Sequence, residues 1–302
     1  SIPTIRKGLK DNYVYIAAFN GNNTDWFVLD YGTLKRGKAE FKNLGRNMLY
    51  IAMGYDGSGL VPISHPFIVH KNGNIETLMR NSNQTEKVVL RRKYYSDENV
   101  VNMRHRVLHG KVQASNNSNF ADCETIFEID SLNYPDKVVL TPSKPYRYWR
   151  YLSPKGSYGS IAELGFFQTI ENKDSIVSGK MISSIGSDND KVKKAFDGDW
   201  LSNFETDSLN GNWVGMDFGK PLTIEKVRIV PRNDDNGIHP GDEYELKYWN
   251  TTGWVSMGKQ LATDNYLVFD NVPKGALLWL DNLTQGFDER IFRYKEGRFE
   301  WW

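Results

Sequence analysis

Apolar residues in this chain come in short runs, and each run is closed by residues that tolerate positive φ. Over the first third the runs are Tyr13 to Phe19, Trp26 to Leu29, Met48 to Met53, Pro66 to Val69 and Lys87 to Leu90. The breaks between them carry Asn20-Gly21-Asn22-Asn23, Asp56-Gly57-Ser58-Gly59 and Asn72-Gly73-Asn74, the chemistry of tight turns. Further along, Val227 and Ile229 alternate with Arg228, and Tyr244, Leu246 and Tyr248 alternate with Glu245 and Lys247. This period of two marks strands with one buried face, and such strands need a facing sheet. An aromatic fraction of 13 % with 26 glycines suits strands and turns better than helices, so the expected class is all-β, built of antiparallel β-sandwiches.

Several function classes fall away early. Lys and Arg number 38 against 37 Asp and Glu, a net charge of +1, so the chain as a whole offers no stripe for neutralising the phosphates of a nucleic acid. No apolar run approaches the roughly 18 residues that span a bilayer. The turn Gly54-Tyr55-Asp56-Gly57-Ser58-Gly59 superficially resembles a phosphate loop, but no Lys follows its last glycine and no helical pattern succeeds it. Cys123 is the single cysteine, which excludes an intramolecular disulfide, and no signature of a Cys–His nucleophile surrounds it. No nucleophile elbow or marked carboxylate pair is present, so the chain is expected not to be an enzyme.

At 302 residues the chain exceeds what one core usually organises. It divides on texture into a small β-sandwich over 1–95, a short helix with an abbreviated β unit over 96–174, and a third part over 175–302. Ser96-Asp97-Glu98 suits a helix cap, with Val100, Met103 and Val107 recurring before Gly110. His105 and His109 lie four apart on that helix, but the flanking Arg104 and Arg106 disfavour a cation there. The polar segment 168–174 reads as the linker into the third part.

In that third part Ala195-Phe196-Asp197-Gly198-Asp199, Trp213-Val214-Gly215-Met216-Asp217-Phe218-Gly219, Ile224 to Arg232 and Asp242 to Trp249 follow in order. This order resembles the discoidin, or coagulation factor 5/8 type C, domain, and implies a complete jelly roll over 175–302. Tyr148 to Pro154 and Gly159 to Phe167 look like the closing strands of the same family, which implies an abbreviated discoidin-like unit before the complete one. The overall arrangement is similar to the carboxyl-terminal region of large secreted gut-bacterial proteins, some with transglutaminase-like domains upstream. Any secretion signal is expected to lie upstream of Ser1 or to have been removed.

The resemblance implies a calcium loop at Asp197, Asp199 and Ser202, where hard oxygens on a tight turn suit the ion. Matching Glu289-Arg290-Ile291-Phe292 to Glu163-Leu164-Gly165-Phe166 nominates Glu289 as the last ligand. The same residues also describe an ordinary Asp-Gly turn with solvated carboxylates. A family glycan site is built from loop aromatics and polar groups, which nominates Trp200 and Phe204 as a platform, with Arg232, Asn233, Asp234, Asn236 and His239 bonding hydroxyls. Arg232 also has Asp234 and Asp242 as structural partners to choose from. Trp213, Trp249 and Trp279 sit in strand-like patterns and are expected in the core. The implied function is a non-catalytic glycan-binding module of a secreted or cell-surface protein, with docking or spacing for an upstream enzyme domain as the alternative.

Overall fold

The computed structural model describes residues 2–5, 7–20, 25–94, 105–285 and 290–302. The chain opens with β1 (Tyr13–Asn20), β2 (Asp25–Thr33), β3 (Met48–Tyr55), β4 (Leu60–Pro62), β5 (Phe67–Val69), β6 (Ile75–Thr77) and β7 (Thr85–Leu90). It continues through β8 (Lys111–Ser115), β9 (Glu124–Glu128), β10 (Val138–Val139), β11 (Tyr146–Leu152), β12 (Ile161–Ile170), β13 (Lys173–Ile176) and β14 (Lys180–Ser183). A one-turn helix α1 (Asp190–Lys193) precedes β15 (Trp213–Leu222) and β16 (Lys226–Pro231). The last segment is β17 (Glu243–Asn250), β18 (Gly253–Leu261), β19 (Leu267–Pro273), β20 (Leu277–Asn282), β21 (Ile291–Lys295) and β22 (Arg298–Trp301). Pairings between these strands are antiparallel, as an all-β chain with short connections requires. No helix among the described residues is long and apolar enough to cross a membrane.

The chain divides into two compact units, and the first is made from both of its ends: 1–94 with 238–302. One sheet has the order β2-β1-β3-β5-β6 with β4 on β3, a second has β18-β17-β20-β21-β22, and β19 pairs β7 as a two-stranded ribbon. The five-stranded sheet is covered on both faces. Trp249, Leu277, Trp279 and Ile291 meet Ala17, Leu49 and Ile51 of the first sheet. Leu246, Leu278, Leu280 and Phe292 meet Val88, Leu90, Leu267 and Phe269 of the ribbon. Burial of both faces is why the run Leu277 to Leu280 is continuously apolar instead of alternating. Trp249 and Trp279 are core residues, each 6 % exposed, as expected from their strand pattern.

The second unit spans 95–237 and is a sandwich of a four-stranded sheet, β10-β16-β12-β13, and a five-stranded sheet, β14-β15-β11-β8-β9. Trp149, Tyr151 and Val214 from the larger sheet share a core with Leu164, Phe166, Val227 and Ile229 from the smaller. On the smaller sheet Lys137 and Lys226 both bond Asp174, at 3.0 and 2.7 Å, and their N–H groups hold its carboxyl below the usual range. Trp213 differs from its sequence reading: it is only partly buried, with the Arg150 guanidinium 5.3 Å from its ring centre.

The domain layout also differs from the sequence reading. The segment 168–174 is no linker: Thr169 pairs Asp174 and Ile170 pairs Lys173 in a hairpin turned by Glu171 and Asn172, both left-handed at φ 50° and 63°. A two-residue turn of this hand matches strand twist, and Glu-Asn carries it without the glycine that would have advertised it. The abbreviated and complete units expected over 96–174 and 175–302 are interleaved, since Trp149 of β11 pairs Met216 of β15 and Leu164 of β12 pairs Ile229 of β16. The strand Glu243–Asn250, read as part of that complete unit, belongs to the first unit. Of the helix expected over 96–109, residues 96–104 lie outside the described residues, His105 is helical, and 106–109 form a turn with His109 at φ 71°.

A core assembled from both chain ends has a measurable consequence. Leu90 is 1 % exposed among the residues of the ribbon core, so Leu90→Ala should cost about 2–5 kcal/mol. The loss should register as weaker amide hydrogen-exchange protection in β17 and β20, with β11 and β15 keeping theirs. Loss confined to 1–94 would contradict the shared core.

Candidate functional site

The loop singled out in the sequence is set up by α1. Asn189 caps the helix by accepting from the Lys191 N–H at 3.0 Å, and Val192 and Ala195 anchor it in the core at 0 % exposure. Asp197 then opens a turn that Gly198 completes at φ 80°, a conformation that suits glycine. Asp197 Oδ1 accepts the Asp199 N–H at 2.9 Å, and Asp199 Oδ1 accepts the Leu201 N–H at 2.9 Å. Ser202 Oγ donates to Asp197 Oδ2 at 2.8 Å, with the Lys194 carbonyl 3.3 Å away.

The strand residue that closes on this loop is Glu163, from β12. Its Oε1 accepts the Gly198 N–H at 2.5 Å, and the Asp197 carboxyl lies beside it. Burial, which withholds water from the charged form, pushes Glu163 up to about 7; neighbouring Asp197 adds to the rise, while the Gly198 N–H and Arg228 oppose it. Glu289, nominated from the sequence, lies outside the described residues, and β21 beyond it belongs to the first unit. Sequence reasoning used Glu163 only as a template for Glu289, because the motif order suggested that each unit carries its own closing strand.

Glu163, Asp197, Ser202 and the Lys194 carbonyl present oxygen donors alone, the set a hard cation takes. Two facing carboxyl groups, one of them pushed toward its neutral form, are also what a cation would relieve. Among the described residues no cluster of three or more His, Cys, Asp or Glu side chains forms, so hydroxyl and carbonyl oxygens would complete any coordination. Residues and ion fit on donor chemistry, with Glu163 in the place given to Glu289.

The second loop, after β16, meets the first. Asn233 Nδ2 donates to the Trp200 carbonyl at 3.3 Å and to the Pro231 carbonyl at 2.8 Å. Asn233 Oδ1 and Asp234 Oδ1 accept the N–H groups of Asp235 and Asn236, so these side chains shape the turn around the left-handed Asp235. Arg232 finds a partner that the sequence did not nominate: its Nη1 lies 2.9 Å from both carboxylate oxygens of Glu205. Ser160 Oγ donates to Glu205 Oε1 at 3.1 Å, and the Ser160 carbonyl accepts the Arg232 N–H at 2.8 Å. Trp200 is partly buried and Leu201 beside it is 61 % exposed.

Three nominated residues are elsewhere or hidden. Phe204 is 0 % exposed; its backbone bridges to Ile161 and its ring sits against Gly159, where an added Cβ would come within 2.9 Å. It is core and no platform. Asn236 is 4 % exposed, which removes it as a sugar contact. His239 belongs to the first unit, its N–H donated to the Tyr244 hydroxyl at 2.8 Å. Glu205 and Ser160 were missed, and no signal in their local sequence marks them. Compared with protein-family models, with curated proteins and with solved structures, the chain has no match.

The Glu163 shift sets a pH dependence. A carboxyl whose pKa rises from 4.5 to about 7 on folding favours the fold while protonated, so its contribution is whole below about pH 4.5 and is lost as pH rises through about 7. In chelator the second unit should melt at lower temperature at pH 8 than this group allows at pH 5, and Glu163→Gln should flatten that slope. Equal slopes in parent and variant would contradict the carboxyl pair.

Proposed function

We propose that this chain is a non-catalytic, extracellular glycan-binding protein whose second unit is a discoidin-type sandwich with its motifs in a rearranged order. The observation that carries the reading is the convergence of the Asp197–Ser202 and Arg232–Asp235 loops, joined through Asn233 and the Trp200 carbonyl. In this reading calcium, held by Glu163, Asp197 and Ser202, supplies a fixed positive charge that orders the turn. Trp200 follows that turn directly, so ordering it fixes the indole. The ring stacks on the apolar C–H face of a sugar. Arg232 and Glu205 already hold each other in a fixed geometry, giving donors and acceptors for vicinal hydroxyls without an unpaired charge. That preorganisation supports binding, because little side-chain entropy is left to lose.

A shallow site with one ring and one ion pair binds weakly, with Kd on the order of 0.1 to 1 mM. A glycan array followed by calorimetry on the best sugar is the test. Trp200→Ala should abolish measurable heat with calcium present and leave the melting temperature within a few degrees. Arg232→Ala should lower affinity about tenfold or more, as expected for a charged hydrogen bond. A protein that binds no glycan with or without calcium would favour a spacer or docking role for an upstream enzyme domain.

A further inference from the structure

The first unit carries an exposed basic hairpin, far in sequence from the loops above. After β2 the chain turns tightly at Arg36 and Gly37, left-handed at φ 53° and 74°, with Lys35 and Lys38 exchanging backbone hydrogen bonds of 2.8 and 3.1 Å. The segment is held from below: Leu34, Ala39, Phe41 and Leu44 pack on the cluster of Val14, Ile16, Tyr50 and Phe67. Gly32 leaves room for Phe41, whose ring would stand 3.1 Å from a Cβ there. Residues between these anchors face outward. Lys35, Arg36, Lys38 and Lys42 are exposed and, with Thr33 and Glu40, line an open groove of about 660 Å³.

None of the four cations makes an ion pair among the described residues. Four like charges on one anchored hairpin, with Glu40 the one carboxylate among the residues that line the groove, repel one another, in a chain whose total charge is only +1. An anion relieves that repulsion. Beside the groove stands an exposed aromatic group. Tyr13 is 40 % and Tyr31 64 % exposed, and with Tyr15 their ring centres lie 5.8–6.4 Å apart. Thr33, on the groove rim, pairs Tyr13 across the strands, and Tyr31 pairs Tyr15. Residues two apart on a strand share a face with their direct partners, so rings and groove rim lie on one side of the sheet.

We infer that this face binds an acidic polysaccharide, its sugar rings against Tyr13 and Tyr31 and its carboxylate or sulfate groups on Lys35, Arg36, Lys38 and Lys42. The pairing of exposed rings with a short, dense cation cluster fits a chain that alternates apolar C–H faces with widely spaced charges. A DNA duplex carries one charge per about 1.7 Å and demands a longer basic stripe than one hairpin. The site is independent of the Asp197 loop and of calcium.

Affinity electrophoresis of the whole chain through gels holding polygalacturonate, dextran sulfate or neutral dextran, with a competing DNA duplex, tests it. Polygalacturonate or dextran sulfate should retard the protein, and which of the two does so separates carboxylate from sulfate; neutral dextran should not. The combined Lys35→Ala, Arg36→Ala and Lys38→Ala variant should lose at least tenfold in affinity. Tyr31→Ala should lose roughly three- to tenfold, the worth of one aromatic contact. These residues are exposed, and circular dichroism should show both variants folded. No retardation by either polyanion, retardation unchanged in the triple variant, or DNA bound as tightly as glycan with Tyr31→Ala silent would each overturn the inference.

Discussion

The hydrogen bond from the Ile238 N–H to the Arg91 carbonyl, 3.3 Å long, closes an excursion of the chain that contains the whole second unit. On one side of it β7 ends; on the other the chain goes on to β17, and β7 itself pairs β19. The first unit therefore cannot finish its core until residues on both sides of the excursion have met. Closing so long a loop costs entropy that grows only slowly with length, and the buried faces of Val88, Leu90, Leu246 and Phe269 offset it.

That constraint explains the order of the second unit's parts. An excursion has to begin and end close together, and the first and last strands described in this one are β8 and β16. Strands β11 and β12 come before the Asp197 loop in sequence and lie against the strands that follow it. Glu163 thereby reaches Gly198 from the amino-terminal side. The carboxyl pair of Glu163 and Asp197 is thus a product of connectivity, as is the joining of the Trp200 and Arg232 loops.

What was legible in the sequence was local. Alternation at Val227, Ile229, Tyr244 and Leu246 gives strands, and Asp197-Gly198 gives a turn, because each depends on neighbours a few residues away. What was illegible depends on partners far away. Nothing near Leu90 tells that its strand pairs Leu267–Pro273, and nothing near Phe204 distinguishes a loop ring facing water from one bridged to Ile161. Glu205 becomes a partner of Arg232 only once β16 lies beside Ser160. The exposed hairpin cations, which form no ion pair among the described residues, escape a charge count because the total is balanced over the whole chain.

The central proposal is that Glu163 and Asp197, brought together by the strand pairing, form one oxygen site for a hard cation. Terbium, which takes the same ligands as calcium and emits when excited through a nearby indole, reads it directly, since Trp200 lies three residues from Asp197. Titration should give saturable emission under tryptophan excitation, displaced by calcium and lost in both Asp197→Asn and Glu163→Gln. Emission that is absent, or that survives in Glu163→Gln, would contradict the account.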